Sequence, residues 1–179
     1  GGRKDNDDIS SLFKIAYEDE TGLFINAGCK RVLEYPQLEA DDCIAITASL
    51  IREKYPESKI WIITSDLDYL QLASEHITLL DLKFKNLTQS KTSFQNADKD
   101  LFCKIVAGDK SDNIPSVLPR CGLKTAEKYY NDRDLFNQKL QQNNAKDAFE
   151  RNQRIIDFRY IPENLCEGFK TELCMASLL

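Results

Sequence analysis

Residues 59–64 read Lys-Ile-Trp-Ile-Ile-Thr, a short unbroken apolar run rich in β-branched side chains, and two aspartates, Asp66 and Asp68, follow at once. A run of this length and composition fits a strand buried on both faces of a parallel sheet. The stretch "DLDYLQLAS" behind it predicts a short helix, and "HITLLDL" a second strand. Ahead of it, "LEADDCIAITASLIREKY" predicts a helix of about 15 residues, with Ala40, Ile44, Ala48 and Ile51 on its apolar face and Pro56 as its stop. The order helix, strand, helix, strand points to an α/β domain with a parallel sheet.

The flanks are less regular. Ile9, Leu12, Phe13 and Ala16 stand at helical spacing behind Asp7 and Asp8, which predicts a helix over 8–19. Residues 22–28 and 29–35 read as short strands or extended loops, and 84–97 as polar chain without a clear element. Helices are expected over 98–107, 123–131, 133–142 and 145–158, with a last one near the C-terminal end. The shift in composition near residue 97 separates a sheet half, 1–97, from a helical half, 98–179.

Composition narrows the function classes. The 179 residues are 42% hydrophobic and 30% charged, ordinary for a globular chain with a real core. No apolar run approaches the roughly 18–20 residues of a membrane span. The polar start "GGRKDNDDIS" does not read as a secretory signal. The net charge of −5 is not the basic footprint of a nucleic-acid binder. A carboxylate cluster that holds cations, however, makes a chain read acidic while its loaded site is not. The six cysteines form no C-x-x-C pair and His76 is the single histidine, which argues against zinc and for reduced thiols in an intracellular compartment, cytoplasm or nucleus, of cellular or viral origin.

Three acidic clusters stand out, and each has an ordinary alternative. Glu39, Asp41 and Asp42 open a helix, where acids favour the macrodipole anyway. Asp66 and Asp68 follow the apolar strand at its carboxyl end, where open α/β sheets bind ligands; the alternative is a helix cap. Asp109 and Asp112 lie in "GDKSDNIP", just past a helix end, where an Asx turn with Asn113 would also explain them. Read together, oxygen ligands without histidine or cysteine suit Mg²⁺ or Mn²⁺. Two such ions are the usual apparatus for cleaving a phosphodiester.

Past "GDKSDNIP" comes "SVLPRCGLKTAEKYY", a tight turn over Pro119, Arg120, Cys121 and Gly122 followed by a helix from Leu123. Backbone N–H groups at such a helix start attract anions, and Lys124 adds a charge. Lys104, Lys110, Arg120, Lys124 and Lys128 make this region locally basic. The arrangement would grip a DNA backbone without reading sequence; the alternative is a plain helical hairpin with solvated lysines.

"LEADD", "IITSDLDYLQL" and "GDKSDNIPSV…CGLKTAEKY", in this order, resemble the 5′-nuclease family, which includes flap endonucleases, phage 5′–3′ exonucleases and the 5′-nuclease domain of bacterial DNA polymerase I. "FERNQRIIDFRYIP" is similar to that family's closing segment, so the resemblance covers roughly residues 28–163. It implies a PIN-like parallel sheet, incomplete at its N-terminal strand, joined to a helical half with a helix–three-turn–helix element. It implies metal-dependent hydrolysis at 5′ ends and 5′ flaps of DNA with two Mg²⁺ or Mn²⁺ ions. By position, Glu39, Asp41 and Asp42 would hold the first ion, with Asp66 and Asp68 beside or between the two. Asp109 and Asp112 would complete the second. Arg120, Gly122, Lys124, Thr125 and Lys128 would bind the duplex backbone, with a K⁺ ion at the hairpin.

The chain departs from the family pattern in two places. Only Gly122 remains of the hairpin's Gly-x-Gly, Arg120 stands where the first glycine is expected, and the turn is one residue longer. The strand that carries the first metal-binding aspartate, and most of the arch over the active site, precede this sequence in the family. "GGRK" reads either as the tail of the arch motif, which would make Arg3 its catalytic arginine, or as a sequence that begins with a cloning remnant. The expectation is a fragment that needs its own N-terminal segment as a partner and is inactive or nearly so alone. Two further classes stay open: a DNA-backbone-binding module without hydrolysis, and a PIN-type ribonuclease.

Overall fold

The computed structural model describes residues 15–16 and 22–175. The chain divides into two compact units, Gly1–Cys43 and Ile44–Leu179. In the first, Ile15 and Ala16 are helical, and the rest of the helix expected over 8–19 lies outside the described residues. The segment 22–28, expected to be extended, instead forms a single helical turn, α1, Leu23–Asn26. The backbone satisfies itself locally through Asn26 N–H to Gly22 O at 3.0 Å and Ala27 N–H to Leu23 O at 2.9 Å. Residues 30–35 carry no regular structure.

Helix α2, Ala40–Lys54, runs from the first unit into the second. Its start is closed by a capping-box contact, in which the Glu39 N–H donates to Asp42 Oδ2 at 3.1 Å. Asp41 and Asp42 in the first turn, and Arg52 and Lys54 in the last, complement the dipole. Of the expected apolar face, Ala48 is buried with Ile44 packed beside it, Ile51 is half-buried and Ala40 alone is exposed, while Cys43, Ala45, Ile46 and Leu50 are buried as well. The helix is covered along more than one stripe. Ala48 packs in the core of the sheet, while Ala45 and Ile46 border a cleft that also meets Cys166 and Lys170.

Strands β1, Ile60–Ile63, and β2, Ile77–Leu80, pair in parallel with Ile60 opposite Ile77 and Ile63 opposite Leu80. The expected burial of β1 on both faces is corrected. Ile62 is buried against Tyr69, Leu70 and Leu79, but Trp61 and Ile63 are 60% and 54% exposed. Alternate strand residues point to opposite faces, and only one face is packed among the described residues. The connection between the strands contains a 3₁₀ turn, Leu67–Leu72, and a second one, Leu87–Gln89, lies in the polar stretch beyond β2.

The helices that follow match their expected spans closely: α3 Ala97–Ala107, α4 Leu123–Asn131, α5 Arg133–Gln142, α6 Lys146–Ile156 and α7 Glu163–Met175. Side chains cap two of their starts: Asn96 accepts from Lys99 N–H at 2.9 Å, and Asp132 from Leu135 N–H at 2.9 Å. Phe102, Val106, Val117, Ala126 and Phe136 form the core between α3, α4 and α5. Phe102 meets Phe136 edge-on at 5.0 Å, and the Arg133 guanidinium lies 3.7 Å from the centre of the Phe102 ring. No described helix is long and apolar enough to cross a membrane.

Candidate active site

Asp68 enters the site because β1 ends there. After Thr64 the chain turns, the Asp66 side chain accepts from Asp68 N–H at 2.9 Å, and this cap starts the 3₁₀ turn. Asp66 itself is exposed and serves as that cap, the ordinary alternative for this position. Asp68 is turned the other way, toward the last turn of α3. There the Lys104 ammonium contacts Asp68 Oδ1 and also Asp109 Oδ2, the latter at 2.7 Å. The three side chains are only 17–19% exposed. Apart from that ammonium, Asp68 Oδ1 is buried without a hydrogen-bond partner.

Asp109 is fixed by the turn it opens. Its N–H and C=O pair with Ile114 at 2.9 and 2.7 Å, making a miniature hairpin whose loop is 110–113. Asp109 Oδ1 accepts from the N–H of Ser111 at 2.8 Å and from its hydroxyl. The Lys104 contact first, and these Ser111 contacts after it, hold the Asp109 carboxyl well below the usual carboxylate range. Asn113, at φ +58°, takes the left-handed corner of the loop. Gly108 is required on two counts. Its φ is +71°, and a Cβ there would stand 2.4 Å from Ile114 O and 2.6 Å from the Pro115 carbonyl carbon. Asp112 is exposed on the loop and is not drawn in with Asp68 and Asp109.

Two residues outside the acidic clusters hold this arrangement in place. Gln71 donates to Asp68 O at 3.0 Å and Ile156 O at 2.9 Å, and accepts from Phe158 N–H at 3.0 Å. Asn152, fully buried, donates to Ile105 O at 3.0 Å and Pro115 O at 2.8 Å. The closing segment around α6 thus ties the 3₁₀ turn, α3 and the exit of the Asp109 loop together. Its likeness to the family pointed to that segment but not to these bonds. Lys104, counted in the sequence among the cations of the basic region, is instead engaged between the two aspartates.

A cavity of about 190 Å³ opens beside the pair, lined by Asp68, Asp100, Lys104, Asp109, Lys110 and Leu123 among others. Hard oxygen donors around a half-buried cation fit Mg²⁺ or Mn²⁺, and Asp68 Oδ1 meets no donor other than the Lys104 ammonium. No group of three or more carboxylate, imidazole or thiol side chains converges among the described residues. Glu39, Asp41 and Asp42 lie in the other unit, Glu39 exposed and the aspartates half-buried in the first turn of α2. Arg3 lies outside the described residues.

The second element is the turn before α4. Leu118 O accepts from Cys121 N–H at 3.2 Å, with Pro119 and Arg120 at the corner. Arg120 has φ +57°, so a bulky residue occupies the left-handed position that this kind of turn reserves for glycine or asparagine. Gly122 has φ −98° and ψ −178°, and a Cβ there would meet nothing within 4 Å. Gly122 is the N-cap of α4, a position where glycine is an ordinary choice. No side chain caps the start of α4. Arg120, Lys124 and Lys128 are exposed and Thr125 is half-buried. The thiols of Cys43, Cys103 and Cys121 are buried, and burial pushes Cys103 up to about 12.

A parallel sheet with acids past its carboxyl end, followed by an uncapped helix start with exposed cations, defines an α/β protein. Comparison makes this specific. The N-terminal resolvase-like domain of 5′–3′ exonucleases matches residues 23–100. Ribonuclease H of enterobacteria phage T4 is 31% identical over 161 residues, covering 76% of this chain and 48% of that protein. The 5′–3′ exonuclease of Buchnera aphidicola is 34% identical over 116 residues, covering 60% and 39%. The chain therefore spans less than half the length of these curated relatives. Among solved structures, the T5 5′-exonuclease with bound zinc ions superposes with a TM-score of 0.73 at 17% identity, covering 96% of this chain and 71% of that one. The bacteriophage T5 flap endonuclease, in a pseudo-enzyme–product complex with DNA and metal ions, gives a TM-score of 0.60 at 15% identity, covering 78% and 60%. At those identities the structural likeness concerns the fold. These comparisons support a 5′-nuclease family: the chain is similar to its N-terminal domain over residues 23–100 and to a 5′–3′ exonuclease over 116 residues.

Proposed function

We propose that this protein hydrolyses phosphodiesters at 5′ ends and 5′ flaps of DNA, with Mg²⁺ or Mn²⁺ at its carboxylates. The observation that carries the reading is the convergence of Asp68 and Asp109 on a half-buried cationic centre past the end of β1. Unpaired carboxylates held this close would repel, so the fold has built a place for positive charge. Asp68 and Asp109 would be ligands of one ion, with Asp66 and Asp112 at its margin. Glu39, Asp41 and Asp42 are assigned to the other. Bound divalent ions would supply an activated water and stabilise the leaving oxygen.

The protein's own groups do the rest. Gln71 and Asn152 tie together the segments that carry Asp68 and Asp109, which limits movement of the two carboxylates when charge develops. The N–H groups at the start of α4 and the exposed Arg120, Lys124 and Lys128 hold the phosphate backbone, with Gly122 allowing close approach. A K⁺ ion at this hairpin belongs to the same reading, tested by replacing K⁺ with a large organic cation and measuring DNA affinity.

The test is cleavage of a 5′-flap DNA by the full-length polypeptide in Mn²⁺. Asp68→Asn should lower the rate by about 10²-fold or more while DNA affinity changes little. Undiminished cleavage would remove Asp68 from the site. Binding without any cleavage in Mn²⁺, and unchanged by EDTA, would favour a backbone-binding module. The T4 relative bears the name ribonuclease H. The displaced strand is therefore tested both as DNA and as RNA.

A further inference from the structure

We propose that Lys104 is an internal counter-cation that a divalent ion must displace, moving from Asp68 and Asp109 to Asp100 one turn back on the same helix. This rests on the metal reading above. The geometry that carries it is the placement of a single ammonium between two carboxylates from different elements, Asp68 beyond β1 and Asp109 beyond α3. Without it, two largely buried carboxylates would face each other unneutralised. An ion of charge +2 bound to the same oxygens would lie against a like charge, so the ammonium and the ion exclude each other.

A displaced ammonium needs somewhere to go. Asp100 lies four residues before Lys104 on α3, the i, i+4 order in which an acid and a lysine pair best. Both line the same cavity of about 190 Å³, so the lysine stem can turn within open space. Asp100 is held in place by Ser93 Oγ–H at 2.8 Å and Phe94 N–H at 2.7 Å. A carboxylate has about four acceptor sites, so two remain for the ammonium. The buried Asp100 then has a purpose beyond pinning residues 93–94.

The experiment is calorimetric titration with Mn²⁺, alongside thermal unfolding with and without Mn²⁺. Lys104→Met keeps the length and removes the charge. It should bind Mn²⁺ about tenfold more tightly than the unsubstituted protein, unfold at a lower temperature without metal, and gain more from added Mn²⁺. Lys104→Arg keeps the charge and should bind Mn²⁺ no more tightly than the unsubstituted protein. Asp100→Asn should weaken Mn²⁺ binding when Lys104 is present and have little effect in the Lys104→Met background, a coupling that loss of loop packing would not produce. Equal or weaker Mn²⁺ affinity in Lys104→Met overturns the displacement alone. No Mn²⁺ binding by any of these proteins overturns the metal reading, and the displacement with it.

Discussion

At Asp109 both carboxylate oxygens are engaged, one by Ser111 and the other by Lys104. At Lys124, on the far side of the turn, the side chain is exposed and the helix start it occupies is uncapped. The acidic end of this segment is neutralised inside the fold, whereas the basic end keeps its charge turned toward solvent. A group that must act on a substrate with ångström accuracy gains from being held in advance. A group that grips a backbone of any sequence gains from staying free, since its partner arrives with the ligand.

Gly108, between the two ends, offers the hardest test of this contrast. Gly108→Ala combines a positive φ with a collision against Ile114 and Pro115. It should cost about 3 kcal/mol or more, read as a lower urea midpoint. A loss under about 1 kcal/mol would mean that the acidic end is not rigid.

The next test uses acid. The Asp109 carboxyl is depressed in the folded protein, so its contribution to stability is complete above the ordinary aspartate value of about 4. It fades as the pH falls from there through the lower folded value. Asp109→Asn should therefore be less stable than the unsubstituted protein at pH 7, and the gap should narrow toward pH 2. A gap that stays constant would assign the stabilisation to hydrogen bonding without charge.

At the basic end the effects are smaller and appear in binding. Lys124→Ala should weaken binding of duplex DNA about five- to tenfold at low salt and lower the slope of log affinity against log salt by about 0.9. It should leave the unfolding midpoint where it was. A change in stability with an unchanged salt slope would place Lys124 in the packing.

Arg120→Gly should give the smallest change, a stabilisation of about 1 kcal/mol or less. Relief of the left-handed strain is partly offset by the greater freedom of glycine in the unfolded chain. If Arg120 holds phosphate, DNA affinity falls in the same variant. A variant that is both more stable and binds as well would show that the arginine serves neither end.

Much of this was legible in the residues because it depends on local chemistry. The α2 and α3–α7 spans follow from periodicity and caps such as Asn96 and Asp132, and the two strands from their β-branched runs. What depended on the third dimension was not. Asp66 and Asp68 look equivalent in sequence, yet one caps a turn and the other faces Lys104. Lys104 on a helix reads as a solvated cation, and nothing local reveals that two acids from other segments meet it. The outward face of β1 was misread because an apolar run does not say how many layers will cover it. Residues 22–28 were misread because a lone helical turn leaves no periodic trace.

Trp61 is the sole tryptophan of the sequence, and it stands on the face of β1 that is left unpacked among the described residues. It gives the protein a built-in optical reporter. Its emission should be red-shifted and open to quenching by iodide or acrylamide. Whatever comes to lie over the sheet, from this polypeptide or another, would announce itself as a blue shift and a loss of quenching, without any label attached.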